Sequence, residues 1–212
     1  MQRNGFTALL LVGLGLPGIG QAAETHFNVG VFTDYIDDGA SKSDNDPVVQ
    51  GGFELGFPTG VFTGVQASTL GSGRGTEIVP FVGYGFDAGP VGVEFGYEHF
   101  HYTDLDERYE GEIFVVADWG PLYVGLNYMA HAHDRDAEGS REYFVGAAHE
   151  VMSRTEVFAE VGHDAPAYDR SAKFWELGAA YHTDFGAFSL TYASRDESGA
   201  QNLLVGGYSV HF

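Results

Sequence analysis

From Thr25 onward, apolar and polar residues alternate in short runs separated by turn-forming residues. Side chains along a strand point to opposite faces with period two. The alternation therefore predicts strands, and no stretch beyond the first 22 residues sustains a helical period. Strands are expected to begin near Thr25, Val48, Val61, Thr76, Val91, Glu112, Leu122, Glu142, Thr155, Phe174, Ala187 and Asn202. That makes about twelve, an even number as single-chain outer-membrane barrels require. Most run about 9–11 residues, the length a tilted strand needs to cross a bilayer.

The connections alternate in kind. Phe57-Pro58-Thr59-Gly60, Asp87-Ala88-Gly89-Pro90, Trp119-Gly120-Pro121, Met152-Ser153-Arg154 and Asp184-Phe185-Gly186 read as tight turns. Between them fall longer polar segments: Asp37–Asp46, Gly71–Gly75, Thr103–Gly111, His133–Ser140, Asp164–Ala172 and Arg195–Gln201. Short turns on one rim and long loops on the other describe an up-and-down transmembrane β-barrel with both termini on the short-turn, periplasmic side. The expected fold class is thus all-β, a transmembrane antiparallel barrel.

Period two also assigns faces. Phe27/Val29/Val31, Phe53/Leu55/Phe57, Val91/Val93/Phe95/Tyr97, Leu122/Val124/Leu126/Tyr128, Val157/Ala159/Val161, Trp175/Leu177/Ala179/Tyr181 and Phe188/Leu190/Tyr192 are expected to face lipid. Charge on that face costs free energy, about 2–4 kcal/mol for Arg or Lys at the midplane. The acids should therefore face inward. The expected pore-lining set is Asp34, Glu54, Gln66, Glu77, Glu94, Glu98, Asn127, Glu156, Glu160 and Glu176.

The two ends sharpen this reading. Arg3 followed by the apolar run Phe6–Leu16, the breakers Pro17 and Gly18, and Gly20-Gln21-Ala22 match a secretory signal cleaved after Ala22, with cleavage after Ala23 the alternative, and the mature barrel at 23–212. That run is shorter than the roughly 20 apolar residues a spanning helix needs. At the other end Leu204, Gly206, Tyr208, Val210 and Phe212 share one face of a strand that stops on an aromatic residue. Tyr208, Val210 and Phe212 are the expected signal to the barrel-assembly machinery of the bacterial outer membrane.

Composition removes other classes. The chain carries 10 Lys+Arg against 30 Asp+Glu, a net charge of −20 with no cysteine. Such a balance excludes nucleic acid as a partner, which requires a basic face, and stability must come without disulfides. A saline habitat would also produce an acidic bias. Glycine at 31 of 212 residues with 15% aromatics suits curved strands and interfacial belts rather than disorder.

Within this frame the first hairpin carries a resemblance. Thr33-Asp34-Tyr35, Gly39-Ala40-Ser41-Lys42-Ser43-Asp44, Pro47-Val48-Val49-Gln50-Gly51-Gly52 and Gly60-Val61-Phe62-Thr63-Gly64-Val65-Gln66-Ala67-Ser68 are similar to the N-terminal signature of the TorF-type porin family of proteobacteria. The resemblance covers Thr33–Ser68 and implies an outer-membrane barrel with porin-like architecture. Asp38 stands where that family usually has Arg, and Gln66 where it usually has Trp. A first loop ordered by that Arg would lack its cation here.

Other constellations weigh less. His99-x-His101 and His131-x-His133 are paired imidazoles near the extracellular rim, a set that suits Zn, Cu or Ni. By parity the first pair follows lipid-facing Tyr97 and the second follows lumen-facing Asn127 and Met129, so the pairs should diverge and no metal site is expected. Asp37, Asp38, Asp44 and Asp46 offer oxygen ligands for calcium without EF-hand spacing, and a solvated acidic loop is the expectation. A lipid hydrolase needs a nucleophile and base within reach at the outer-leaflet rim. Ser209 and His211 share a face, but at the periplasmic end, so no enzyme and no cofactor is expected. Gly71-Ser72-Gly73-Arg74-Gly75 precedes no helix and is no phosphate loop.

The expected function is a narrow porin for small solutes, in contact with outer-membrane lipid and favouring cations through its acidic wall. The alternatives are a closed structural or adhesive barrel plugged by Phe32, Phe62, Phe81, Phe114 and Phe158, or, behind it, the lipid-modifying hydrolase. Oligomeric state is left open.

Overall fold

The computed structural model describes residues 23–104 and 108–212. The expected signal peptide, 1–22, lies outside the described residues. Twelve strands close into one antiparallel barrel. They are β1 (Glu24–Phe32), β4 (Val48–Gly56), β5 (Val61–Thr69), β6 (Thr76–Ala88), β7 (Val91–Tyr102), β8 (Tyr109–Trp119), β9 (Leu122–Ala132), β10 (Arg141–Met152), β11 (Thr155–Ala165), β12 (Ala172–Thr183), β13 (Gly186–Arg195) and β14 (Leu203–His211). Two short strands, β2 (Ile36–Asp37) and β3 (Ala40–Ser41), form a separate hairpin in the first long loop. Among the described residues one 3₁₀ turn, Arg135–Ala137, sits between β9 and β10. Among the described residues no helix is long and apolar enough to cross a membrane; the chain crosses with strands.

Every barrel strand pairs with its neighbours in sequence, and the ring closes where β1 meets β14 from Asn28↔His211 to Phe32↔Gly207. Phe27 and Phe212 extend that seam, each backbone N–H donating to the other's carbonyl at 3.2 and 2.9 Å. Closure leaves no unpaired edge, which is what lets a sheet exist in hydrocarbon. The alternation of tight turns and longer loops is as the sequence pattern predicts.

The faces also follow that pattern. Val31, Val145, Val161, Leu177, Leu190 and Leu204 stand exposed on the outside, Leu204 at 67%. Inside, aromatic rings and glycines meet in register. Phe62 is opposite Gly83, Phe81 opposite Gly64, Phe114 opposite Gly96, Phe144 opposite Gly125, Tyr123 opposite Gly146, Phe158 opposite Gly178, Phe174 opposite Gly162 and Phe32 opposite Gly207. A Cβ at each of these glycines would run into the ring facing it. Each ring therefore lies along the neighbouring strand, covering backbone that glycine leaves bare. This accounts for much of the glycine excess: the residues are seats for inward aromatic rings.

Candidate functional site

The first long loop organises the interior. Asp38-Gly39 is an Asp-Gly pair with both residues at positive φ, 50° and 74°. Two-residue hairpin turns of the primed type demand this conformation, and it joins β2 to β3. Asp34, at the head of the loop, fixes the rest. Its Oδ1 accepts from the Tyr35 N–H at 2.7 Å and the Ser41 hydroxyl at 2.6 Å, and lies 2.6 Å from the Ser43 hydroxyl. Ser43 also approaches the Asp46 carbonyl at 2.7 Å. Asp34, Tyr35, Ser41 and Ser43 are thus the residues that knit this loop.

The hairpin folds inward across the long-loop end of the barrel. On one wall the Tyr35 hydroxyl donates to Glu77 on β6 at 2.7 Å, and Lys42 Nζ lies 2.8 Å from Glu77 and 3.1 Å from Asp37. The ammonium also sits 5.3–5.7 Å from the ring centroids of Tyr35, Phe100 and Tyr102. On the opposite wall Arg195 of β13 donates from Nη1 to the Asp38 carbonyl at 3.4 Å while pairing with Asp164 at 3.0 Å and Glu197 at 2.9 Å. Tyr35 and Ile36 are buried in one cluster with Phe32, Val48, Leu70, Val79, Phe100, Tyr102, Ala193, Leu203 and Val205.

The solvated acidic loop expected from Asp37–Asp46 is therefore only half right. Asp44 is exposed, whereas Asp37 and Asp38 are half-buried at the inward tip. Lys42 and Arg195 are the cations that meet this loop, Lys42 through Asp37 and Glu77 and Arg195 through the Asp38 carbonyl.

Electrostatics at this tip is set by crowding. Burial, then the carboxylates of Glu142, Asp37, Asp164 and Glu112, hold the Asp38 pKa well above the ordinary aspartate value. Burial alone would lower the Lys42 pKa, but Asp37 and Glu77 raise it well above the usual lysine range. Burial and the negative Glu77 push the Tyr35 hydroxyl well up, so it remains a donor. At the surface, hydrogen bonding by Ser72 lowers the pKa of Asp46.

The other acids named from the pattern fall as follows. Glu77, Glu94, Glu98, Asn127, Glu160 and Glu176 are buried, and Glu54, Gln66 and Glu156 half-buried, all on the strand face opposite the exposed apolar residues. Glu98 stands directly across from Glu112, and Glu160 across from Glu176. Asn127 donates to Glu142 at 2.8 Å. Asp34 differs from the rest, since it belongs to the loop rather than a strand. Among the described residues Lys42 and Arg195, which pattern reasoning did not single out, reach among these acids.

The His pairs do not behave as parity requires. Glu112 pairs with Met129 but Gly111 pairs with His131, so Ala130 is an extra residue in β9. This bulge turns His131 to the outer face, where its Nε2 lies 3.1 Å from the Tyr97 hydroxyl and its ring 5.8 Å from that of His99. The pairs converge rather than diverge at that point. Ser209 Oγ and His211 Nε2 are 3.2 Å apart at the short-turn rim. Among the described residues no group of three His, Cys, Asp or Glu side chains is placed to hold a metal ion.

A closed twelve-stranded barrel with an apolar exterior and an acidic interior has the architecture of bacterial outer-membrane barrels. The chain belongs to the Gcw_chp family, described as a bacterial protein of unknown function, whose profile matches residues 20–206. No curated protein matches the sequence. Among solved structures the KdgM porin superposes with a TM-score of 0.63 at 6% identity, covering 88% of this chain and 98% of that one. The same porin in complex with disordered oligogalacturonate gives 0.61 at 6% identity over 90% and 98%. An outer-membrane channel from Pseudomonas putida F1 gives 0.52 at 13% identity over 95% and 100%. At these identities the likeness is one of fold.

Proposed function

We propose that the protein is a porin-like channel of the bacterial outer membrane that passes small solutes and favours cations. The observation that carries this reading is the inner wall. Glu54, Glu94, Glu98, Glu112, Glu142, Glu156, Glu160 and Glu176 share it, so among the described residues acids far outnumber the cations Lys42 and Arg195 that reach inward. Confined carboxylates make the local potential negative and enrich counter-cations. The β2–β3 hairpin narrows the path at the extracellular end, where its tip adds Asp37 and Asp38.

The closed-barrel alternative requires inward rings that meet across the axis. Phe32, Phe62, Phe81, Phe114 and Phe158 each lie over the glycine opposite on the next strand, yet Phe62 also stacks on Phe114 at 6.4 Å, and both join Phe81, Tyr123, Phe144 and Phe174 in one buried cluster, the observation that favours this second reading. The carboxylates that share the interior with these rings keep the channel reading first. The resemblance to TorF-type porins over Thr33–Ser68 points the same way, as does the fold shared with the KdgM porin. Outer-membrane location, export by cleavage near Ala22 and recognition of Tyr208, Val210 and Phe212 by the assembly machinery belong to this proposal. A lipid hydrolase is disfavoured because the Ser209/His211 contact sits at the periplasmic rim, away from outer-leaflet lipid.

Planar-bilayer recordings of the purified barrel test the proposal. Discrete conductance steps are expected, larger when residues 36–41 are replaced by a short Gly-Ser link. A wild-type protein that inserts yet does not conduct would put the closed barrel first.

A further inference from the structure

The outer surface carries a polar cluster that the channel reading does not use. His99 on β7 and His131 on β9 flank Gly111 of β8, each in register with it. Tyr97 reaches over this glycine, with its phenol oxygen 3.4 Å from His99 Nδ1 and 3.1 Å from His131 Nε2. A Cβ at position 111 would strike the His131 ring and the Tyr97 hydroxyl. Glycine there is what lets the three groups close on one another. The Tyr109 ring lies 6.1 Å from His99 and 5.9 Å from His131, and His133 packs edge-on against it at 5.7 Å.

We propose that Tyr97, His99 and His131 form a binding site for a divalent transition metal, copper or zinc, on the outer face near the extracellular rim. Three lines of chemistry carry this. First, a tetrahedral ion with ligands at about 2.0–2.1 Å has ligand–ligand edges of about 3.3 Å. The two observed edges, 3.1 and 3.4 Å, bracket that length. Second, a phenol has one proton and cannot donate to both imidazoles at once. A metal replaces that proton: Tyr97 releases it to solvent on binding as phenolate, the two neutral imidazoles contribute lone pairs, and water takes the fourth position. Imidazole suits copper and zinc, and copper stands highest in the usual affinity order.

Third, charge separates this ligand from its competitor. Imidazole and phenol donors could also meet a lipid phosphate, but the chain carries −20, and Asp104, Asp134 and Asp136 lie on the adjoining loops. That field attracts a dication and repels a headgroup phosphate. The β9 bulge gains a purpose in this account, since bulges re-aim side chains. Without the extra residue His131 would face inward and the site would have one imidazole.

The test uses the metal-stripped full barrel in detergent, titrated with Cu²⁺ and followed by calorimetry and electron paramagnetic resonance. The wild type should bind one ion with hyperfine structure from two nitrogens. H99Q/H131Q should weaken binding by at least about tenfold, the scale of loss when even supporting groups of metal sites are removed. Y97F should retain the two nitrogens but release no proton. H26Q/H211Q, altered at the other rim, should match the wild type. Heat-modifiable migration in gels confirms that each variant is folded, and the single variants H99Q and H131Q serve if the double one is not. Equal copper affinity in H99Q/H131Q and wild type, or a wild-type spectrum lacking two nitrogens, overturns the proposal. So does a cluster whose mutation alters binding to vesicles of phosphate-headgroup lipid but not to copper.

Discussion

Replacing Lys42 by Met isolates what holds the first loop inside the barrel. The Lys42 side chain is 19% exposed, whereas its partner Glu77 is fully buried. Removing the ammonium leaves Glu77 with the Tyr35 hydroxyl and no countercharge. Breaking a buried pair from one side typically costs about 3–5 kcal/mol, because a buried charge is left uncompensated. The reverse change, Glu77→Gln, leaves Lys42 with Asp37 at 3.1 Å and part of its shell in water. That should cost less, about 1.5–3 kcal/mol, the value of one hydrogen bond to a charged group. The double variant removes both charges together, so it should be less unstable than K42M alone, with a coupling of about 1–3 kcal/mol.

Urea unfolding of the barrel in lipid vesicles, followed by Trp119 and Trp175 fluorescence, reads these differences. If K42M releases the loop before the barrel unfolds, its loss in stability stops at the loop's own docking free energy. Its conductance then rises toward that of the loop-shortened channel. K42M indistinguishable from wild type in both stability and conductance would refute the reasoning, as would a double variant no better than the sum of the singles.

Three further outcomes are expected. The raised Asp38 pKa means the folded loop prefers the protonated acid; its contribution is complete below the ordinary aspartate pKa and is lost as pH rises through the higher folded value. The loop should grip more tightly in mild acid than at neutral pH, lowering conductance there, and D38N should remove that part of the pH dependence; an identical profile in D38N would count against it. Gly162→Ala and Gly125→Ala drive a Cβ into Phe174 and Phe144, and should cost about 1–3 kcal/mol while narrowing the path as the rings swing off the wall. Gly206→Ala meets nothing within 4 Å and should be neutral in the same urea and conductance assays. Phe212→Asp keeps the backbone bonds to Phe27 but puts a carboxylate on the lipid-facing seam, and should abolish heat-modifiable barrel in membrane extracts.

The barrel was legible because its determinants are local. Period-two alternation, tight turns such as Gly120-Pro121 and outward runs such as Leu122/Val124/Leu126 each repeat along the chain, so strand starts at Val48, Val61, Thr76, Val91, Leu122 and Thr155 agree with the alternation. The interior arrangement was less accessible, since it depends on which strands face each other across the ring. Nothing local says that Lys42 reaches Glu77, or that Arg195 meets Asp38, 157 residues away. One signal was present and unused: Asp38-Gly39 is a strong hairpin pair, and reading it would have turned an acidic loop into the β2–β3 hairpin. Parity failed for His131 because one inserted residue, Ala130, reverses every facing after it. The glycine excess, read as strand curvature, became specific only once register placed each glycine under a ring.

An acidic inner wall should make this barrel a cation-preferring channel. Reversal potentials of single wild-type channels across a salt gradient test it most directly. Cation preference is expected, weakening as salt rises and the screening length falls to about 3 Å at 1 M, and shrinking when Glu94 and Glu98 are both changed to Gln in a barrel that still folds. An anion-selective channel, or a preference untouched by E94Q/E98Q and by salt, would contradict it.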